Sequence, residues 1–384
     1  MGRFGPEVQD ILELYGDAYL ESHAVTPQQR RVVADLRSCR TAALGGHAHE
    51  CPECGYREVS YNSCRNRHCP KCQGTAREVW LIRRECELVD CPHYHVVFTV
   101  PQELNPIFLR NQAPMYNLLF RCSWETVREF AADRRHLGGE TGSLSVLHTW
   151  TQVLDYHPHV HMVVPAGALT PRGSWRHGSR KFFAPVRGMG KAFRAKVVAG
   201  VRRMARAGEL DLGGCASHLA GPGELDRALD GLFAKPWVVY CERPFGGAAN
   251  VLKYLARYTH RVAIANSRIR SVEGGRVTFA WRDSREGRRR EKEMTLDAME
   301  FIRRFLMHVL PERFSKIRYY GVYACRGKSG KLARCRRATR TSPSPLEGLG
   351  YEELADIARE RLLGRRPDTC PKCGAPMKTR ELLL

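Results

Sequence analysis

Apolar and polar positions alternate through Asp155-Tyr156-His157-Pro158-His159-Val160-His161-Met162-Val163-Val164. At a strand's period of two, His159, His161 and Val163 share one face, and Val160, Met162 and Val164 share the other. Upstream, Ser145–Leu154 is rich in β-branched and aromatic residues and reads as a second strand, with a short connection containing Pro158, so a hairpin is expected. Helical spacing appears over Glu7–Leu44, where Thr26-Pro27 predicts an N-cap followed by proline at the first helical position. It returns over Thr75–Leu88, Pro114–Arg134, Lys191–Gly208, Ala248–Arg261, Leu296–Leu310 and Tyr351–Leu363. Further strands are predicted at His93–Pro101, Trp237–Cys241, Ile317–Tyr323 and in a hairpin around Gly274-Gly275. Arg282–Glu293 reads as a charged connection, and residues from Lys328 to Arg340 as a basic tail. The pattern predicts an α+β fold, mainly an antiparallel sheet with flanking helices. A helical lead-in and zinc ribbon would occupy residues 1–90, a catalytic domain 91–325, and a basic C-terminal tail 326–384.

Charge narrows the class of partner. The chain carries 62 Lys and Arg against 40 Asp and Glu, a net +22, the footprint of a protein that works on nucleic acid. No apolar run approaches the length of a membrane span, which argues against an anionic bilayer as partner. The first residues lack the apolar segment of a signal peptide, so a cytoplasmic, nucleoid-associated protein is expected. In that reducing compartment the 15 cysteines point to metal rather than to disulfides.

Cys51-Pro52-Glu53-Cys54 and Cys69-Pro70-Lys71-Cys72 are two Cys-x-x-Cys knuckles at the spacing of a four-thiolate zinc ribbon, predicting Cys51, Cys54, Cys69 and Cys72 as ligands of one structural Zn²⁺. His47, Cys64 and His68 are surplus donors. A third knuckle, Cys370-Pro371-Lys372-Cys373, has only two thiolates, and Cys325 and Cys335 are the candidates to complete it as a second site. Arg57, Arg65, Arg67 and Lys71 interleave with the ribbon and are expected to touch phosphates.

His159 and His161, side by side on a β surface, make half of a metal site. A second His-x-His, His93 and His95, starts the strand before it. In Lys253-Tyr254-Leu255-Ala256-Arg257-Tyr258-Thr259-His260-Arg261, both phenols fall four residues apart on one helix face, where they also fit a buried stripe. Tyrosine hydroxyls attack phosphorus when charge on the phosphate is neutralised, and Arg257 and Arg261 at the same spacing suit flanking phosphates.

Taken together, the Cys51–Cys72 block, His157-Pro158-His159-Val160-His161 and Tyr254-Leu255-Ala256-Arg257-Tyr258, in that order, resemble the two-tyrosine HUH transposases of rolling-circle insertion sequences. The resemblance runs from about residue 10 to 340. It implies a single-strand DNA endonuclease and strand transferase acting on transposon ends and target DNA. His159 and His161 would bind Mg²⁺ or Mn²⁺ with a third ligand among Gln152, His95 and His157. Tyr254 or Tyr258 would form a 5′-phosphotyrosine link. A rolling-circle replication initiator shares that chemistry, and a non-catalytic zinc-ribbon nucleic-acid binder would account for the charge and cysteines alone. Trp150, Trp175, Trp237 and Trp281 are candidates for stacking on unpaired bases.

Overall fold

The computed structural model describes residues 5–179, 181, 183–243, 263–283 and 290–382. Its centre is a five-stranded antiparallel sheet in the order β12-β4-β5-β3-β8. The strands are β3 (His93–Thr99), β4 (Gly142–Trp150), β5 (Tyr156–Pro165), β8 (Val239–Cys241) and β12 (Ile317–Gly321). The β4–β5 hairpin is therefore present, in the register Val146↔His161 and His148↔His159. One face carries Tyr94, Val96, Phe98, Leu147, Val160, Met162 and Val164 into the main core beneath α5 (Gln112–Ala132) and α6 (Val186–Arg206). The alternation that buries those residues turns His95, Val97, His148, His159 and His161 to the opposite face. The smaller helices α4 (Asn105–Arg110) and α7 (Glu224–Gly231) and the β6–β7 ribbon (Gly167–Leu169, Trp175–His177) extend the main core, contributing Ile107 and Phe108, Leu229, and Ala168 respectively.

The N-terminal helices α1 (Val8–Ser22) and α2 (Pro27–Ser38) start as their sequence predicts. The Gln29 amide donates to Thr26 Oγ1 at 3.2 Å and the Thr26 amide donates to Gln29 Oε1 at 2.8 Å, closing a capping box with Pro27 in the first turn. Their apolar stripe packs on a unit far along the chain, made of β9 (Ile269–Glu273), β10 (Arg276–Asp283), β11 (Arg290–Asp297) and α8 (Ala298–Met307). Val8, Ile11, Val33 and Leu36 meet Val277, Phe279, Phe301 and Phe305 in that second core. Part of the charged segment after Arg282 is thus a strand. Pairing with β10 holds β11 in place, and its Arg, Glu and Lys side chains face water at the sheet edge.

A third sheet orders β13-β1-β2, from β1 (Gly46–Glu50), β2 (Arg57–Tyr61) and β13 (Lys378–Leu382). The C-terminal strand pairs with β1 (Gly46↔Leu382 through Glu50↔Lys378). Lys328–Thr339, read as part of a basic tail, is the helix α9, and the helix expected over Tyr351–Leu363 is present as α10, which packs Leu354, Ala355 and Ala358 on Val79 and Ile82 of α3 (Gly74–Glu87). The tail of the chain is built onto its N-terminal region. Among the described residues no helix is long and apolar enough to cross a membrane.

Two of the basic residues expected at phosphates are used inside the fold. Arg67 donates to the Pro311 carbonyl at 2.7 Å and to the Phe314 carbonyl, and Lys71 pairs with Glu7 at 2.8 Å while 12% exposed. Arg57 pairs with Glu50 at 2.7 Å. Replacing Arg67 by alanine is expected to cost about 2–3 kcal/mol, because two carbonyls lose charged donors. Urea denaturation reads that loss, and the salt dependence of DNA binding should stay as in the parent protein.

Candidate functional site

Among the described residues, three clusters of metal-ligating side chains emerge, each with ligand atoms within 4.8 Å of one another: Cys39, Cys64, Cys69 and Cys72; Cys51, Cys54, Cys370 and Cys373; and His148, His159 and His161. The expected set Cys51, Cys54, Cys69 and Cys72 is therefore divided between two sites. The β1–β2 hairpin is the reason. Its paired strands hold the Cys51–Cys54 knuckle at the turn, while residues 62–72 return to the other end, where the Arg40 amide donates to the Asn62 carbonyl at 3.0 Å. Five strand residues separate the two ends by about 15 Å. No single ion bridges that gap.

At the turn end, the second half of the site comes from the C-terminus. Cys51 and Cys373 sulfurs lie 3.5 Å apart and Cys54 and Cys370 3.6 Å apart. The two knuckles are built alike: the Gly55 amide donates to the Cys51 carbonyl at 3.0 Å, and the Gly374 amide to that of Cys370 at 2.9 Å. Both glycines are left-handed, at φ 69° and 77°. At the other end, Cys69 and Cys39 lie 3.4 Å apart and Cys64 and Cys72 3.8 Å apart. Thiolates on a tetrahedral Zn²⁺ at about 2.3 Å stand about 3.8 Å from each other, whereas a disulfide needs about 2.05 Å. Both sets fit zinc. Cys39 and Cys69 are fully buried in the second core and Cys64 and Cys72 are half-buried, while Cys54 and Cys373 leave the other site open to solvent.

The remaining surplus donors do other work. His68 is buried and accepts from the Leu310 amide at 3.4 Å, and His47 sits on β1 outside both clusters. Cys335 is buried among apolar residues of α9 and its neighbours, and Cys325 is exposed, so neither completes the third knuckle.

The histidine cluster lies on the face of the central sheet turned away from the main core. His159 and His161 come from β5, and the register sets His148 of β4 directly across from His159. The ring of His148 meets that of His161 edge-on at 4.5 Å and stacks on Trp150 at 4.7 Å. His159 donates from Nδ1 to the His157 carbonyl at 2.6 Å, which leaves its Nε2 as the lone-pair nitrogen. Burial pushes His159 down to about 4, and burial followed by the neighbouring imidazoles holds His161 well below its ordinary value. Both rings are therefore neutral at pH 7, the state that ligates a cation.

Behind them, His95 Nε2 lies 2.8 Å from His161 Nδ1, and His95 Nδ1 lies 3.5 Å from Glu242 Oε2. This carboxylate–imidazole–imidazole row is the kind of outer support that fixes the tautomer of a metal ligand. Of the residues expected to offer a third ligand, His95 takes that supporting place, His157 supplies its carbonyl, and Gln152 is exposed beyond the strand end. His148 was not among them. Its signal was the strand alternation in β4, readable only once β4 and β5 were in register. His93 is bonded to the Tyr323 hydroxyl at 3.0 Å and belongs to no cluster. Tyr254, Arg257, Tyr258, Arg261 and the helix expected over Ala248–Arg261 lie outside the described residues.

Comparisons with known proteins agree over nearly the whole chain. Residues 142–330 match a family model described as "Putative transposase", and residues 11–100 match one described as "Transposase zinc-binding domain". The chain is 46% identical over 376 residues to "Putative transposase y4qJ" of Sinorhizobium fredii, covering 97% of this chain and 94% of that protein. It is 27% identical over 365 residues to "Transposase for insertion sequence element IS801" of Pseudomonas savastanoi pv. phaseolicola, covering 93% and 85%. No solved structure matches it.

Proposed function

Since the chain belongs to the IS91 family of HUH transposases with an N-terminal zinc-binding domain, we propose that it cuts and rejoins single-stranded DNA at the ends of an insertion sequence, through a tyrosine nucleophile and a divalent ion held by His148, His159 and His161. The observation that carries this reading is the convergence of three imidazoles from two paired strands on one sheet face, two of them held neutral by burial. An all-imidazole set suits Mn²⁺ better than Mg²⁺, which prefers carboxylate and water oxygens. A divalent ion bound there neutralises charge on the scissile phosphate and makes phosphorus a better electrophile.

The chain's own residues supply the rest. His95 and Glu242 hold the ring of His161 in its ligating orientation. The phenol oxygen of Tyr254 or Tyr258 forms a bond to phosphorus as the bond to the 3′-oxygen breaks, and the phenolic proton ends on the departing 3′-hydroxyl. The 5′-phosphotyrosine link retains the energy of the broken diester, so a 3′-hydroxyl can reverse the step on another strand without ATP. Arg257 and Arg261 are assigned to the flanking phosphates.

The test is a 5′-to-protein adduct on a labelled single-stranded oligonucleotide carrying an element end, run with and without Mn²⁺. The adduct is expected only with the ion, and Tyr254→Phe combined with Tyr258→Phe is expected to abolish it while leaving oligonucleotide binding intact. An undiminished adduct in the double variant would overturn the assignment, and so would binding with no adduct in the parent protein.

A further inference from the structure

One side chain away from the histidine cluster lies a cavity of about 260 Å³, walled by Trp150, Trp281, Arg268, Arg270, Arg282 and Glu291 among others. We propose that it receives one unpaired base of the strand being cut, stacked on indole, with the neighbouring phosphate on arginine. The inference rests on the proposed function for the single strand as ligand, and on the cavity's own chemistry for the rest.

Trp281 is the first reason. Along β10, Val277, Phe279 and Trp281 share one face, and the first two are fully buried in the second core. Trp281 continues the row past the point where that core ends, so its indole lines open space where packed hydrocarbon would be expected. The Lys292 ammonium sits 5.6 Å over its ring while paired with Asp283 at 2.8 Å, which holds the indole in place without adding net charge. Among the other tryptophans weighed for stacking, Trp237 is buried with its indole nitrogen donating to the Leu232 carbonyl at 3.3 Å, and Trp175 is on the β6–β7 ribbon.

Position is the second. Trp150 forms a wall of the cavity and stacks on His148 at 4.7 Å, so the cavity and the metal-ligating face share one indole. A strand with its phosphate at the three imidazoles is thereby brought beside the indole that walls this opening. The third reason is charge. Arg268 is tied down by the Ala280 carbonyl at 2.7 Å and by the Gln152 carbonyl, and Arg270 by Glu291 at 2.5 Å, while Arg282 is exposed at the rim. Three guanidiniums against one carboxylate leave the opening positive. Indole faces beside arginine are how proteins hold unpaired bases without reading their sequence. The volume falls just below the range of ligand pockets, about 300–1,000 Å³, as suits one planar base.

The test is fluorescence anisotropy with a labelled oligothymidine and with a duplex of equal length, at fixed salt and without divalent ion, so that binding is read independently of cutting. Trp281→Ala is expected to weaken single-strand binding about tenfold or more, and Trp281→Phe to keep most of it. Arg282→Ala is expected to weaken it severalfold and to reduce the slope of log affinity against log salt by about one. Duplex binding should change little in all three. Zinc content and circular dichroism confirm folding, and should Trp281→Ala fail to fold, Arg282→Ala and Trp281→Phe decide. Parent affinity and slope in the folded variants would overturn the proposal, as would equal losses on single strand and duplex. An absent phosphotyrosine adduct with these binding losses intact would instead remove the proposed chemistry and leave the base pocket standing.

Discussion

Changing His148 to alanine is expected to reduce Mn²⁺-dependent adduct formation by at least about 100-fold, more than the loss of an outer-shell partner usually costs a metal site. Mn²⁺ affinity of the uncut protein, read by calorimetry, should fall with it. Gln152→Ala and His157→Ala are expected to stay within severalfold of the parent in both measurements. The contrast follows from geometry: the register His148↔His159 brings the β4 imidazole into the cluster, while His157 contributes only the carbonyl that accepts from His159 Nδ1. Full activity in His148→Ala, or a dead His157→Ala, would show that a different residue completes the ligand set.

The cysteine variants carry the largest expected effect on stability. The purified chain should hold two zinc ions. Cys39→Ser should lose one and unfold much of the protein, because Cys39 and Cys69 sit at 0% exposure in the core that joins α1 and α2 to β9, β10 and α8. Binding of structural zinc is worth about 10–16 kcal/mol in small domains, as much as the whole stability of many proteins. Cys373→Ser should lose the other ion at a much smaller cost, since that site is open to solvent and chiefly ties β13 to β1. Metal analysis with thermal denaturation measures both. A single ribbon of Cys51, Cys54, Cys69 and Cys72 would instead give one zinc, lost equally with Cys54 or Cys69 and indifferent to Cys373.

What sequence reasoning reached and what it missed divide along sequence separation. The Thr26–Gln29 cap, the β4–β5 hairpin, the Gly274-Gly275 turn and the cysteine knuckles are set by residues a few positions apart, and each is where the pattern placed it. Partners chosen over long distances were not legible. Cys51 meets Cys373, Arg67 meets Pro311 and Phe314, and α1 packs on α8, and no local period encodes such pairings. The strand β11 was hidden for another reason: its first four residues are charged and exposed, and only Met294 and Leu296 turn to the second core, too short an apolar alternation to reveal it.

The sequence by itself determined that this is a basic, zinc-binding, mixed α and β chain of the HUH transposase kind, because composition, knuckle spacing and the His-x-His alternation are properties of short stretches. Only the tertiary structure decided which thiols share an ion, that the C-terminus completes a site begun near the N-terminus, and that His148 joins His159 and His161. Those choices depend on strand register and on which surfaces bury each other, and both are fixed by the free energy of the whole packed chain.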